Sequence, residues 1–276
     1  MTPQALREAA LRWLDAGRAA AVVEVVAARG SVPRGVGTRM LVAGDEVLGT
    51  IGGGHLELRA IEDARRLLRE GGAPVRQQVA LGPALGQCCG GSLELRLAPL
   101  QDAEPAAWAL PAPRFHLQLY GAGHVGRAIA ALLADIPCRV QWIDEREGEF
   151  PAAPSPPHIE RLAVEPVQAE VDSAPPMACY LVLTHSHALD LALAQAILGR
   201  GDFAYFGLIG SATKRARFEH RLRDRGFAPA LVERMVCPIG LPGIAGKEPA
   251  VIALAAVAQL LQHSPPPAGP AAVPAR

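Results

Sequence analysis

The chain has 276 residues, enough for two domains of ordinary size, each with a core of its own. Its 27 lysines and arginines balance 27 aspartates and glutamates, so no broad positive field favours nucleic acid or an anionic membrane as a partner. The longest strongly apolar stretch, residues 249–261, is shorter than the roughly 20 residues of a bilayer span, and the first residues lack an apolar signal core. We therefore expect a cytoplasmic protein with no nucleic-acid or membrane partner.

The first part of the chain alternates helical and strand patterns. Leucines spaced by three to four residues predict an amphipathic helix over 3–17, and a second leucine-spaced segment predicts a helix over 55–72. Between and after them, β-branched and alternating runs predict strands. These predicted strands are 20–26, 38–42, 47–51, 75–81 and 92–97. We expect a mixed α+β domain over 1–99, followed by a linker rich in alanine and proline over 100–114.

Beyond the predicted linker, strands and helices alternate along the chain. Such alternation is typical of a parallel sheet with right-handed crossovers and helices on both faces. The predicted strands are 115–123, 138–144, 178–184 and 204–210, and the predicted helices are 124–136, 190–201, 214–227 and 248–261. The overall prediction is an α/β protein with a second domain over 115–263, ending in a disordered tail over 264–276.

The sequence GAGHVG follows a predicted strand and opens a predicted helix, which is the context in which G-x-G-x-x-G is meaningful. Gly121 would permit the tight turn, Gly123 the approach of a pyrophosphate, and Gly126 close packing of helix on strand. Asp144 ends the next strand, 18 residues after Gly126, where a ribose-binding carboxylate is expected. The pattern predicts a Rossmann-like fold, but a fold can keep this turn and change its ligand.

The sequence GTIGGGHLE ends a predicted strand in three glycines and then begins a helix. Unhindered backbone N–H groups at a helix N-terminus form a cradle for an anion such as phosphate. An ordinary turn with Gly54 as N-cap explains the same residues. Glu57 falls in the first helical turn, where its charge would favour the helix dipole.

The sequence GQCCGG contains two of the five cysteines. A zinc site normally needs cysteines spaced as C-x2-C and two further ligands, and a bond between neighbouring cysteines would be strained and easily reduced. Cys88 and Cys89 therefore suggest an exposed thiol whose loop N–H groups increase its reactivity toward sulfur or a soft metal. The alternative is an ordinary loop cysteine. Cys138 and Cys179 lie in apolar runs and are predicted to be buried.

Two further motifs follow predicted strands of the second domain. THSHALDL places His185, His187 and Asp190 after the strand 178–184, at the edge where open α/β sheets bind ligands. Two histidines and a carboxylate also suggest a metal hydrolase, whereas a helix-capping Asp190 is the simpler interpretation. GLIGSATKRARF places Gly210 and Ser211 at a turn before a basic helix, which predicts either an anion site or a solvated helix face.

Taken together in register, seven motifs resemble the XdhC/CoxI family of xanthine dehydrogenase accessory proteins. They are GSVPRGVGTRMLV, GTIGGGHLE, LGQCCGGSLEL, LYGAGHVGRA, THSHALDL, GLIGSATKRARF and CPIGLPGIAGKEPAVIALAAVAQLL. The resemblance implies an N-terminal XdhC/CoxI domain and a C-terminal Rossmann-like domain. It also implies a protein that binds the molybdenum cofactor, protects it, and delivers it to the molybdenum-binding subunit of xanthine dehydrogenase. A cysteine desulfurase is the implied partner for cofactor sulfuration.

The resemblance gives the motif residues a common ligand, the molybdenum-bearing pterin known as molybdopterin. We expect Cys88 or Cys89 to contact the metal or its sulfido group, and the glycine turns to hold the phosphate, in a cleft between the two domains. The expected cofactor-binding residues are Gly52, Gly53, Gly54, His55, Cys88, Cys89, Gly90, Gly91, Gly121, Gly123, His124, Gly126, Asp144, His185, Asp190, Gly210 and Ser211.

Three other functions remain compatible with the sequence. The first is an NAD(P)-dependent oxidoreductase, supported by GAGHVG and Asp144, although no hydride-transfer triad is evident. The second is a metal hydrolase built on His185, His187 and Asp190. The third is a docking protein that bridges the desulfurase and the dehydrogenase without holding the cofactor. The accessory function has no catalytic residue of its own, and a homodimer is compatible with each of these functions.

Overall fold

This computed structural model describes residues 1–81 and 90–264. The chain forms two compact units that divide between Leu110 and Pro111. The segment from 100 to 110 belongs to the first unit, where short 3-10 turns at Leu100–Asp102 and Pro105–Ala107 bring Leu100 and Trp108 into the core. The indole of Trp108 donates to the carbonyl of Ala103, 2.8 Å away. Buried side chains thus anchor a stretch whose composition alone predicts a linker.

The first unit is a five-stranded antiparallel sheet with helices on its faces. Its sheet order is β3-β2-β1-β5-β4, and β1 carries a bulge between Val25 and Ala27. The elements are α1 (Pro3–Asp15), β1 (Ala20–Arg29), β2 (Arg39–Ala43), β3 (Val47–Gly49), α2 (Gly54–Glu70), β4 (Val75–Ala80) and β5 (Ser92–Pro99).

Alternation along the strands gives this sheet two apolar faces. On β1, Ala21, Val23 and Val25 face one core, which also contains residues of α2 such as Ala60 and Ala64. The intervening side chains of β1 face a second core under α1 and the 100–108 segment. Strand β5 shows clean alternation of apolar and polar residues, and its apolar side chains are buried.

The second unit is a six-stranded sheet in which every paired strand is parallel. Its elements are β6 (His116–Tyr120), α3 (His124–Leu133), β7 (Arg139–Asp144), β8 (Ile159–Ala163), β9 (Cys179–Val182), α4 (His187–Arg200), β10 (Tyr205–Leu208), α5 (Ala212–Asp224), α6 (Pro229–Glu233), β11 (Met235–Val236) and α7 (Pro249–Gln262). α3 and α7 cover one face, and α4, α5 and α6 cover the other. The predicted fold class, a mixed α+β domain followed by a Rossmann-like parallel sheet, is confirmed.

The strand order is β11-β10-β9-β6-β7-β8, so the chain reverses its direction of growth between β6 and β9. In open α/β sheets the carboxyl ends of the two strands at such a reversal flank the ligand crevice. Gly121 follows β6 and Thr184 follows β9 at this position. The fold therefore brings the GAGHVG and THSHALDL motifs to the same edge of the same sheet.

Sequence patterning missed several elements of the second unit. Strand β8 pairs with β7, and its half-exposed IERLA sequence carries little strand signal after the proline-rich loop. Arg161 of β8 organises that loop, donating to the carbonyl oxygens of Pro151 and Ala153 and to the hydroxyl of Ser155. The crossover from β8 to β9 is a 3-10 segment, Val167–Ser173, rather than an α-helix. The short elements α6 and β11 also escaped the sequence analysis.

No helix within residues 1–81 and 90–264 is long and apolar enough to cross a membrane.

The GAGHVG turn packs so closely that two of its glycines have no room for a side chain. A Cβ on Gly126 would lie 2.0 Å from the carbonyl oxygen of Gly121. Gly121 itself has φ of +115°, and a Cβ there would lie 2.4 Å from the carbonyl oxygen of Leu183. The obstructing atoms belong to the backbone, so a larger residue must displace a strand or a helix.

We expect Gly126→Ala to destabilise the protein by about 2–3 kcal/mol, because its methyl group overpacks a rigid backbone contact. The matched control is Gly199→Ala in α4, where a Cβ meets nothing within 4 Å. Ala is the better helix former, so the control should gain up to about 1 kcal/mol. Thermal and urea unfolding of both variants measure the difference. Equal stability of the two variants would contradict the close packing assigned to Gly126.

Candidate functional site

In the first unit, three glycine-containing segments converge. A Cβ on Gly91 would lie 2.4 Å from the carbonyl oxygen of Ser31, and a Cβ on Gly52 would lie 2.6 Å from the Pro33 side chain. The loop after β1 therefore contacts both the GGG turn and Gly91, which directly precedes β5. The carbonyl of Gly91 also accepts a hydrogen bond from the amide of Leu81, at 2.8 Å. Residues of the predicted GGGH and GG motifs thus both contact the loop after β1.

Glu57 occupies part of the anion cradle predicted at the GGG turn. Its Oε2 accepts hydrogen bonds from the amides of Ile51, at 3.0 Å, and Gly53, at 3.1 Å, and from the hydroxyl of Thr50. Gly52 and Gly53 have φ of +129° and +77°, which allows these amides to turn toward one carboxylate. The carboxylate of Glu57 therefore serves as an internal anion for this turn, and sequence analysis assigned it only to the helix dipole.

The remaining first-unit candidates flank this turn or the loop that precedes β5. Gly54 and His55 begin α2 and are exposed. Gly90 is also exposed, whereas Gly91 lies against the Ser31 backbone. Cys88 and Cys89 fall outside the described residues, so their assignment stays a prediction. Among the residues that are described, no three His, Cys, Asp or Glu side chains form a group that could hold a metal ion.

The three other cysteines are buried and have poorly acidic thiols. Burial raises the pKa of Cys138 to about 12 and that of Cys179 to about 11. Burial also raises the pKa of Cys237, although Lys214 and Arg215 act in the opposite direction. Because the thiolate is the reactive form, these three cysteines are poor candidates for sulfur or metal chemistry. The predicted burial of Cys138 and Cys179 is confirmed.

In the second unit, the GAGHVG turn has one open side. A Cβ on Gly123 would meet nothing within 4 Å, and α3 begins at the exposed His124. The first amide of the turn, on Ala122, is occupied, since it donates to Oδ2 of Asp144 at 2.7 Å. An approaching ligand would therefore reach Gly123 and the start of α3, while the deeper glycines support the turn.

Asp144 is buried, and nearby protein groups already bind both of its oxygens. Oδ1 accepts from the amide and the Nε of Arg146, both at 3.0 Å, and Oδ2 accepts from Nη2 of Arg146 at 3.1 Å. Desolvation by burial would raise the pKa of Asp144, but hydrogen bonds from Arg146 and from the Ala122 amide outweigh it, so the pKa is lowered. A ribose hydroxyl that bound this carboxylate would therefore have to compete with Arg146 for its oxygens.

The crevice between the ends of β6 and β9 is narrow. Its cavity measures about 10 Å³, room for at most one water molecule, and its lining includes Gly121, Asp144 and Thr184. At its rim, Nε2 of His185 lies 3.5 Å from Oε1 of Glu145. A ligand that enters this crevice must therefore move side chains at the carboxyl ends of β7 and β9.

Asp190 is wholly buried and forms an ion pair with Lys214. Nζ of Lys214 lies 2.5 Å from Oδ2 of Asp190 and donates to the carbonyl of Ile209 at 2.8 Å. Oδ1 of Asp190 accepts from the amide and the hydroxyl of Thr184. This network ties the end of β9 to the end of β10. It also engages the ammonium group of Lys214, which the basic-helix pattern had suggested as a contact for an external anion.

The neighbouring motif residues support this network. Ser211 is the N-cap of α5 and accepts from the amide of Lys214 at 3.2 Å. A Cβ on Gly210 would lie 2.8 Å from Cδ of Lys214, so a glycine at this position leaves room for the aliphatic part of the lysine side chain. Ser186, not Asp190, caps α4. Asp190 points inward to Lys214, and the structure does not bring it together with His185 and His187 as a metal site.

Sequence analysis did not identify Arg146 or the pairing of Lys214 with Asp190. A signal for Arg146 was available, because a cation two residues after the strand-ending Asp144 lies within reach of that carboxylate. No local signal identifies the second pair, since 24 residues separate Asp190 from Lys214.

We expect Arg146→Gln to raise the pKa of Asp144, because the hydrogen bonds from Arg146 no longer oppose the effect of desolvation. Carboxyl chemical shifts across an acid titration measure this pKa. Because the pKa of Asp144 is lower in the folded protein than in the unfolded chain, this group stabilises the fold at pH values above the ordinary pKa of aspartate. The stabilisation is lost as the pH falls through the pKa of the folded protein. Arg217→Gln on the exposed side of α5 should leave the pKa of Asp144 unchanged. A pKa unaffected by Arg146→Gln would contradict the assigned network.

We expect Lys214→Met to destabilise the protein by about 3–5 kcal/mol, because it leaves the buried Asp190 carboxylate without its partner. Urea unfolding measures the loss. The double variant Asp190→Leu with Lys214→Met removes both charges and should recover most of the stability. A double variant no more stable than Lys214→Met alone would show that the ion pair does not determine the loss.

Comparison with known proteins identifies both units. A family model described as the XdhC Rossmann domain matches residues 117–260, and the model of the XdhC and CoxI family matches residues 13–78. An uncharacterised protein of Escherichia coli K12, YqeB, is 29% identical over 250 residues, which cover 88% of this chain and 43% of that protein. The chain therefore spans less than half the length of that curated relative.

A solved structure shares the fold over nearly the whole chain. A crystal structure described as a xanthine dehydrogenase from Bacillus halodurans superposes with a TM-score of 0.68 and 19% identity, covering 95% of this chain and 96% of that one. The Rossmann-domain model by itself covers more than half of the present chain. The chain therefore belongs to the XdhC and CoxI family.

Proposed function

We propose that this protein is an accessory factor of xanthine dehydrogenase. It binds the molybdenum cofactor, protects it, and inserts it into the molybdenum-binding subunit of that enzyme. The observation that carries the proposal is membership of the XdhC and CoxI family, with family models matching both units. A cysteine desulfurase is the proposed source of the sulfur for the terminal sulfido ligand. The likeness to a structure described as a xanthine dehydrogenase supports the fold.

The composition of the GQCCGG sequence supports a soft, sulfur-bearing ligand. Cys88 and Cys89 are followed by Gly90 and Gly91, and Gly91 packs directly on the Ser31 backbone. The other three cysteines are buried with raised thiol pKa values, which leaves the adjacent pair as the thiols suited to metal or sulfur contact. We propose that one of the pair contacts the molybdenum or its sulfido group.

The phosphate of the cofactor needs N–H donors that are not already used. At the GGG turn, the amides of Ile51 and Gly53 are bound to Glu57. In the second unit, Gly123 faces open space at the start of α3, where backbone N–H groups favour an anion. We therefore propose the start of α3, at Gly123 and His124, as the stronger of the two candidate phosphate contacts, and Gly54 and His55 as the second.

Delivery limits how tightly a carrier can hold its cargo. Each tenfold gain in affinity adds about 1.4 kcal/mol to the free energy that release requires. Internal carboxylates at both glycine turns, Glu57 and Asp144, reduce the attraction of each turn for a second anion. These contacts support moderate binding, which allows the client subunit to compete for the cofactor.

The rival function is an NAD(P)-dependent oxidoreductase. Gly121, Gly123 and Gly126 have the packing of a dinucleotide-binding turn. Binding of the adenosine ribose at Asp144 would require displacing Arg146 from both carboxylate oxygens. Nicotinamide cofactor retained by the purified protein, with turnover of a small substrate, would favour this rival.

The decisive experiment is purification from a host that makes molybdopterin, followed by measurement of molybdenum and pterin per chain. Apo-xanthine dehydrogenase is then added to test for activation. We expect the purified protein to retain both molybdenum and pterin, and the added apoenzyme to gain activity. A chain that retains neither and activates nothing would overturn the proposal, and activation without retained pterin would favour a docking protein.

We expect Cys88→Ser or Cys89→Ser to reduce the molybdenum retained per chain by about tenfold, equivalent to about 1.4 kcal/mol of binding. The matched control, Cys138→Ala, removes a buried thiol whose pKa is raised to about 12. Circular dichroism and thermal unfolding of each variant monitor folding. Cofactor retention equal to that of the parent in both serine variants would reject the thiol assignment while leaving the carrier function to be judged by the activation test.

A further inference from the structure

A groove of about 500 Å³ lies at the amino-terminal edge of the parallel sheet, opposite the edge that carries the glycine turn. Its volume falls in the range of roughly 300–1,000 Å³ found for small-molecule sites. Strands β6, β7 and β8 provide its floor, and residues around Pro157 and Ser173 form its sides. Among the described residues, none that belongs to a motif noted in the sequence lines this groove.

Five polar side chains from three neighbouring strands share one face of the sheet here. His116 pairs with Arg139, Gln118 with Gln141, and Gln141 with Glu160. Side chains two residues apart on a strand point to the same face, so the register places all five on that face. A hydrogen bond of 2.9 Å from Nε2 of Gln118 to Oε1 of Gln141 agrees with this placement.

This polar surface is accessible because the crossover above it is short. In a doubly wound fold a crossover helix normally packs on this face. Here β8 and β9 are connected through the 3-10 segment Val167–Ser173, whose Val167 and Val171 enter the core. The first residues of β6, β7 and β8 lie beyond that cover, and His116, Arg139 and Glu160 are exposed.

The charged groups of the groove have no partners in the part of the chain that the structure describes. Within residues 1–81 and 90–264, His116, Arg139 and Glu160 form no hydrogen bond or ion pair through their side chains. The amide NH₂ of Gln141 is also free in that part of the chain, since only its oxygen is engaged, by Gln118. By contrast, Gln118 is satisfied, donating to the carbonyl of Glu170 at 2.7 Å and accepting from the hydroxyl of Tyr120 at 2.7 Å.

Two basic residues, His116 and Arg139, are direct neighbours in the register of β6 and β7. The pKa of His116 is lowered, first by partial burial and second by the charge of Arg139. A titratable group perturbed by desolvation and by a specific charged neighbour, within a groove, is a candidate for ligand binding. The groove therefore combines a guanidinium group, a carboxyl group and an imidazole whose pKa is lowered, which favours its neutral form.

Charge balance selects the class of ligand. A phosphate ester would satisfy Arg139 but would add its negative charges to the carboxylate of Glu160. A zwitterion provides an anion for Arg139 and a cation for Glu160, so that each charge gains a charge-assisted hydrogen bond. Neutral His116 and the free NH₂ of Gln141 can then bond to the carboxylate or to a polar side chain.

We propose that this groove binds a free α-amino acid, with its carboxylate at Arg139 and His116 and its ammonium group at Glu160. This site is separate from the glycine turns and does not depend on the proposed accessory function. The ligand binds at the amino-terminal ends of the strands, opposite the switch point between β6 and β9. The sheet then has one binding site at each end of its strands.

The test is a titration of the full-length protein with each of the standard amino acids, added as the free compound at millimolar concentrations. Ring chemical shifts of His116 and isothermal calorimetry report binding. We expect one or a few amino acids to shift the His116 resonances and to bind saturably. The N-acetyl and carboxamide forms of the best ligand, which lack the ammonium and the carboxylate respectively, should bind at least tenfold more weakly.

Matched variants localise the site. Arg139→Gln and Glu160→Gln should each weaken binding at least tenfold, and both positions are exposed, so folding should be retained. Arg217→Gln and Glu233→Gln, exposed charges outside the groove, should bind like the parent. No binding by any amino acid, equal binding by Arg139→Gln and Arg217→Gln, or equal binding of the N-acetyl form would each overturn the proposal.

Discussion

The second unit depends on a contact between backbone atoms where β6 and β9 end. Gly121 lies against the carbonyl of Leu183, and Gly126 lies against the carbonyl of Gly121, at distances that exclude any Cβ. This packing sets how closely α3 approaches the sheet and where its first turn faces outward at Gly123. Asp144 and Arg146 then fix the turn from the adjacent strand through the Ala122 amide. The geometry of the candidate contacts at Gly123 and His124 follows from that arrangement.

Both units use an internal carboxylate to hold a glycine turn. Glu57 binds the amides of Ile51 and Gly53 in the first unit, and Asp144 binds the amide of Ala122 in the second. Such a carboxylate preorganises the turn, because it satisfies backbone donors, those of Ile51 and Ala122 among them, that would otherwise be buried without a partner. It also makes the turn a weaker anion site than glycine content alone suggests. A carrier that must release its cargo is consistent with this compromise.

The parallel sheet presents different chemistry at its two edges. The carboxyl edge combines glycine turns, the closed pair of Asp190 with Lys214, and a crevice of about 10 Å³. The amino edge is wider and carries two charged residues, Arg139 and Glu160, whose side chains have no partner among the described residues. The difference arises from the crossovers, since α4 and α5 cover the sheet after β9 and β10 whereas a 3-10 segment replaces a helix before β9.

The sequence by itself determined the fold class, the glycine turns and the burial of Cys138 and Cys179, because hydrophobic periodicity and glycine spacing are local properties. It predicted a linker at 100–114, where Trp108 in fact packs into the first core, and it missed β8, whose exposed residues carry little pattern. Only the tertiary structure decided which cation the buried Asp190 meets. Asp190 pairs with Lys214 because strand order places β9 beside β10 and burial makes an unpaired charge costly. The separation of 24 residues leaves no local pattern from which this pair could be predicted, whereas Arg146 lies only two residues after Asp144.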